Sequence, residues 1–154
     1  MIRRRQTIKR KDARSLLDEL SGKFGAIEAQ RIEIAEFEEK KIVFLDERIA
    51  FVRDENGAYP YLRSSFTEKL PKVVVDMGAI RFVCNGADVM APGITDMDDF
   101  AEGAVVVIRD VNHGKALAIG VANKSSAEIM ASKKGKVIRN LHYVGDKLWE
   151  AASA

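Results

Sequence analysis

The ordinary bases near neutral pH in this chain of 154 residues are two histidines, His113 and His142. Nucleophilic catalysis needs such a base beside the group it activates. His113 falls in a turn between two apolar runs, and His142 sits next to Tyr143 on a strand-like run. Each therefore reads as a satisfied or solvated histidine. A zinc site takes several Cys or His ligands at close spacing, and the single Cys84 with two scattered histidines does not supply them. Cys84 lies among apolar residues and reads as a structural thiol in a reducing compartment. Asp96, Asp98, Asp99 and Glu102 offer carboxylates to a magnesium ion, or else serve as loop and cap residues before a strand at Ala104. Neither GxGxxG nor GxxxxGK[ST] is present, so nucleotide phosphates find no glycine cradle. The chemistry points away from an enzyme, and no cofactor or metal is expected.

Binding chemistry is better represented. Between Met1 and Arg14 stand seven basic residues, Arg3, Arg4, Arg5, Lys9, Arg10, Lys11 and Arg14, against Asp12 alone. Such an arm attracts nucleic acid. From Glu28 to Glu39 the sign reverses, and Glu33, Glu36, Glu38 and Glu39 form an acidic strip suited to a basic partner or simply to water. Asn85-Gly86-Ala87-Asp88-Val89-Met90-Ala91-Pro92-Gly93 follows a helix with Arg81 on its outer side. Its small residues let another backbone approach, and its amides suit phosphates or base edges. The same residues also suit a tight structural turn.

These groups are positioned by a chain with 47% hydrophobic and 31% charged residues, a formal net charge of +2, and no apolar run of membrane-spanning length. The N-terminus lacks the apolar stretch of a signal peptide, and retention in the cytoplasm is expected. Asp12 caps a predicted helix over 13–21 carrying Leu16, Leu17 and Leu20, with Gly22 as its terminator. The runs RIEIAEFEE, KIVFLD and RIAFVRD predict strands, and Asn56-Gly57 predicts a hairpin whose turn residues both take positive φ. Ser64 to Lys72 reads as a linker, with the boundary at Leu70. Beyond it, Val73 to Val75 predict a buried strand and Asp76 caps a helix over 77–84 that presents Ala79, Phe82 and Val83 to the core. Gly86 ends that helix, and ADVMAPGI follows as strand or loop. Residues 104–110 and 115–123 form a hairpin across Asn112-His113-Gly114. Ser125 and Glu128 form a capping box on a helix with Lys133 and Lys134 in its last turn, and KVIRNLHYV closes as a strand.

VVVDMGAIRFVCNGADVMAPGI resembles the opening of a PUA domain, and the likeness runs on through FAEGAVVV, KALAIGVANKSSAEI and KGKVIRNLHYVGDKLW, covering residues 71–150. The ending NLHYVGDKLW is similar to the malignant T-cell amplified sequence and ligatin proteins. The resemblance implies an α+β chain, with a small N-terminal α/β domain (1–70) before a PUA pseudo-barrel of mixed strands and short helices (71–154). It implies RNA in a cleft beside the first PUA helix, at Arg81, Gly86, Ala87, Asp88, Met90, Pro92 and Gly93, with Lys72 and Arg139 as neighbours. By the same resemblance the RNA is tRNA, at its acceptor end, or small-subunit rRNA, in initiation, re-initiation or recycling. A density-regulated-type translation protein is the implied partner, with the acidic strip as its docking face. An RNA-targeting accessory role beside an RNA-modifying enzyme is the alternative.

Overall fold

The computed structural model describes residues 1–153 and divides into two compact units, Met1–Lys69 and a second beginning at Leu70. The first unit runs β1 (Arg3–Thr7), α1 (Arg10–Phe24), β2 (Ile32–Phe37), β3 (Lys40–Leu45), β4 (Arg48–Asp54) and β5 (Gly57–Pro60), then a 3-10 turn at Ser65–Lys69. Its strands pair in chain order as one antiparallel sheet. The Ile, Val and Phe runs of β2 to β4 supply a core in which Ile42, Val43, Phe51 and Val52 are at most 1% exposed. Burying each such side chain is worth roughly 1.5–3 kcal/mol.

Three local expectations are corrected here. Helix α1 begins after Lys9, with no side-chain cap, so Asp12 lies in its first turn, where a carboxylate favours the positive end of the helix dipole. Gly22 stays inside the helix, which continues until Phe24 stacks 5.3 Å from Phe51; termination falls to Gly25, at φ 95°. At the β4–β5 hairpin only Gly57 takes positive φ (97°), with Asp54 accepting the Asn56 amide at 2.7 Å, so a left-handed glycine follows the turn. Paired positive φ values occur instead at Asp46 and Glu47 (47° and 73°), between β3 and β4. The Asp46 carboxylate holds that turn by accepting the amides of Gln30 and Arg31, both at 2.9 Å.

Strand β1 has no apolar alternation, and every residue of it is exposed. It forms because β2 offers a free sheet edge; the pairing is irregular, with a shift between Arg3 and Gln6 and Arg4 at φ 56°.

The second unit runs β6 (Lys72–Val75), α2 (Met77–Val83), β7 (Val89–Met90), a 3-10 turn (Ala91–Gly93), β8 (Ile94–Met97), β9 (Val105–Asp110), β10 (Ala116–Ala122), α3 (Ser126–Ser132), β11 (Lys136–Tyr143) and α4 (Lys147–Ser153). The sheet order is β7-β11-β10-β9-β6-β8, antiparallel except for the parallel β6–β9 pair, and it wraps into a nearly closed pseudo-barrel. Val73, Val75, Val106, Ile108, Val137 and Ile138 fill its interior at 0% exposure. Asp76 caps α2 by accepting the Ala79 amide at 2.9 Å, and the Ser125–Glu128 capping box is complete. Helix α3 stops at Ser132, and Lys133 takes the left-handed cap position (φ 54°), so Lys133 and Lys134 lie beyond the helix instead of in its last turn. No described helix is long and apolar enough to cross a membrane.

Candidate nucleic-acid interface

Helix α2 starts where Asp76 caps it and ends where the chain must turn back toward β7. Gly86 makes that turn at φ 92°, and a Cβ there would stand 3.1 Å from the Tyr143 ring. Only glycine fits without strain. The loop is then pinned by Asn140, whose Nδ2 donates to the carbonyls of Val83 and Ala87, both at 3.0 Å, while its amide donates to Asp88 Oδ1 at 3.0 Å. On the other side the Gly93 carbonyl accepts the Asp76 amide at 2.9 Å, and a Cβ on Gly93 would press on Ala79 at 3.1 Å. Loop, cap and helix are thus one rigid wall.

Between them lies an open groove of about 490 Å³. Ala87, Asp88, Met90, Pro92 and Gly93, all expected at the site, line it together, along with Asp76, Phe82 and Lys136. Gly86 lies behind the wall, packed on Tyr143, in a structural role. Arg81 holds its guanidinium 5.0 Å over the Phe82 ring, a cation–π contact at the groove edge.

Phe82 is the residue that periodicity misplaced. It is 53% exposed, whereas Val83 is 1% exposed and Ala79 and Ile80 pack on the core. At about 100° per residue, including Ile80 rotates the buried face away from Phe82. The ring is left facing solvent beside Met77 (67% exposed) and Met90 (46%).

Lys72 and Arg139 are not in the groove lining. Lys72 opens β6, at the far end from Asp76, about 13 Å away at 3.3 Å per residue; its amide donates to the Asp98 carboxylate at 2.8 Å. Arg139 is exposed on β11 opposite Val121 of β10.

The basic arm belongs to the first unit, and part of its charge is spent there. Arg5 donates through Nε and an Nη to both oxygens of Glu33, at 2.9 and 3.0 Å, and lies 4.0 Å over the Phe44 ring. Glu33 is 5% exposed, and Arg5 holds its carboxyl below the usual carboxylate range, with Arg31 helping. Glu36 is likewise held low, chiefly by the hydrogen bond from Lys41 at 3.1 Å, with Arg4 at 3.4 Å. Within the acidic strip, Glu33 is thus paired with Arg5 of β1, and Glu36 chiefly with Lys41 of β3. Glu38 and Glu39 remain exposed in the β2–β3 turn. Arg3 is exposed on β1, while Lys9, Arg10 and Lys11 open α1; Arg10 lines a groove of the first unit with Arg14 and Arg31.

Of the groups weighed for catalysis, the His142 imidazole has a structural partner. His142, 1% exposed, sits with Nδ1 2.7 Å from Asp146 Oδ2. Burial pushes the Asp146 carboxyl up, but His142 and the amides of Trp149 and Tyr143 outweigh it and hold the group below its ordinary value. The His113 amide donates to Asp110 at 2.6 Å, and burial pushes the Cys84 thiol up. Among the described residues no three His, Cys, Asp or Glu side chains gather as a metal site.

The model of the PUA domain family matches residues 71–144. An uncharacterised protein of Methanocaldococcus jannaschii is 41% identical over 96% of both chains. Translation machinery-associated protein 20 of Saccharomyces cerevisiae is 35% identical over 77% of this chain and 71% of its own length. Malignant T-cell-amplified sequence 1-B of Xenopus laevis is 36% identical over 71% of this chain and 64% of its own. The crystal structure of a hypothetical protein of Pyrococcus horikoshii OT3 has a TM-score of 0.83 at 29% identity, covering 97% of this chain and 99% of that one. A structure of an H/ACA RNP bound to a substrate RNA containing 2′-deoxyuridine matches 60% of this chain and 29% of that chain, with a TM-score of 0.50 and 26% identity. The rigid glycine-loop wall, the mixed pseudo-barrel behind it and these likenesses agree, and the chain belongs to the PUA-domain family that includes translation machinery-associated protein 20 and the malignant T-cell-amplified sequence proteins.

Proposed function

We propose that this protein is a non-catalytic RNA-binding protein of the translation apparatus, acting in the cytoplasm. It takes the tRNA acceptor end, small-subunit rRNA, or both, in initiation, re-initiation or recycling. The observation that carries this reading is the groove itself. Phe82 is half exposed under the Arg81 guanidinium, at the edge of a wall that Asn140 and Gly86 hold rigid. An exposed aromatic ring on a fixed frame is a stacking platform for an unpaired base, a contact worth about 1–3 kcal/mol. Nothing in such a site does covalent chemistry; it positions an RNA end. The family likeness supports the translation setting, and a density-regulated-type protein is the proposed partner, docking where Glu38 and Glu39 remain free.

Crosslinking in cells followed by sequencing of the bound RNA tests the reading. Recovery of tRNA 3′ ends with small-subunit rRNA is the expected result. A second reading, favoured by the likeness to the H/ACA RNP over 60% of this chain, makes the protein an RNA-targeting accessory of a modifying enzyme. Recovery of one modified RNA class without ribosomal RNA would select it, and recovery of no RNA would remove both.

A further inference from the structure

We infer that the RNA track does not end at the glycine-loop groove but crosses Pro92 into a second groove, where the lysine turn between α3 and β11 binds the strand's phosphates. This rests on the RNA-binding reading above and extends it to a further site.

A second open groove of about 420 Å³ lies between α3 and β8, and Pro92 lines both it and the first. Its apolar floor comes from Ile94, Met97, Ile129 and Met130, of which Met130 is 64% exposed. The turn Lys133-Lys134-Gly135-Lys136 runs along both grooves: Lys133 lines the second and Lys136 the first. It is tied to the ridge between them, because the Gly135 carbonyl accepts the Ala91 amide at 2.9 Å and Lys136 pairs with Met90 across β7 and β11. Left-handed backbone at Lys133 (φ 54°) and Gly135 (φ 83°) sets the turn's shape.

The charges fit one occupant. Lys133, Lys134 and Lys136 are exposed, and none makes an ion pair among the described residues. Three unpaired cations beside two apolar floors match a chain whose phosphates recur between flat apolar bases. That chain is single-stranded RNA, since a duplex keeps its base faces stacked inside. Asp96 lines the second groove and repels phosphate, so the backbone runs on the lysine side.

The test uses the full chain with unpaired oligoribonucleotides lengthened one nucleotide at a time, followed by fluorescence anisotropy. Wild type should gain about tenfold in affinity once the strand reaches past Pro92, a typical increment for one stacked base. Met130→Glu combined with Lys133→Asn should lose that increment and bind the shortest oligonucleotides unchanged; asparagine tolerates the left-handed backbone, and both positions are exposed, so the fold is retained. Lys134→Ser and Lys136→Thr should each lower the slope of log affinity against log salt by about 0.7. Wild type that binds, with no length increment or with an increment and slope indifferent to these changes, overturns this inference alone. Wild type that binds no oligonucleotide overturns it together with the RNA-binding reading. Better binding of duplex than of single strand assigns the lysine turn to another ligand and also overturns it.

Discussion

The two basic regions of this protein look alike as strings of letters and differ in what their charges face. In β1, Arg4 and Arg5 stand across the strand pair from Glu36 and Glu33, and Arg5 is locked in a two-pronged bond over the Phe44 ring. In the second unit, Lys133, Lys134 and Lys136 project from a turn with no counterion among the described residues. Charge available to a ligand is therefore what remains after the fold has used its share. A surface arginine already paired must give up that pairing before it neutralises a phosphate, whereas an unpaired lysine only exchanges water and counterions.

Four changes bear on this comparison, in decreasing order of effect. Gly86→Val should be the most damaging, because a β-branched residue at φ 92° would press into the Tyr143 ring 3.1 Å away. A loss of about 3 kcal/mol is expected for the second unit, combining backbone strain and overpacking. Urea denaturation measures it, and an unchanged midpoint would mean the loop is not the rigid wall described. Phe82→Ala should leave thermal stability nearly untouched, since the ring is 53% exposed, while RNA affinity falls roughly tenfold through lost stacking. Equal binding by this variant would remove the platform from the argument.

Glu33→Gln should weaken the first unit by a smaller amount, visible in its pH dependence. Arg5 lowers the Glu33 carboxyl, so the pair contributes stability that is fully present above the ordinary glutamate value of about 4.3 and is lost as pH falls through the lowered one. The variant should show a flatter acid limb below about pH 4 in a thermal-melt series, and an identical limb would show that Arg5 is not committed to Glu33. Arg4→Gln should have the least effect, lowering the salt slope of RNA binding by well under the roughly 0.7 to 0.9 expected for a full phosphate contact, because Glu36 already faces Arg4. A full unit of slope lost would mean that β1 gives up its internal partners on RNA and would erase the distinction between the two regions.

Features set by neighbours in the chain could be read in advance. Asp76 caps α2, and Ser125 with Glu128 boxes α3, because the bonds close within three residues. Features set by distant partners could not. Arg3 to Thr7 carry no strand pattern, and only the free edge of β2 makes them one. Gly22 reads as the helix end until Phe24 is seen against Phe51. At the site, the glycine loop was visible as small residues after a helix, but Asn140, which pins it, stands more than fifty positions away. Phe82 was hidden because the face of a two-turn helix is set by few residues, and Ile80 moves it.

The single parallel pairing has a further consequence, in time. Strands β2 to β5 are successive hairpins, each closing with its immediate neighbour, and such local contacts form quickly. Strand β6 can pair with β8 but must wait on its other edge for β9, since Lys72 lies opposite Val107, and the barrel cannot close before β11 arrives to bridge β10 and β7. During synthesis the first unit can fold while Val73 and Val75, fully buried at the end, have β8 on one side and an open edge where β9 will pair. The first strand of the second unit thus keeps one edge open until β9 is made, and the nascent chain should be most prone to aggregate, or to recruit a chaperone, in that interval.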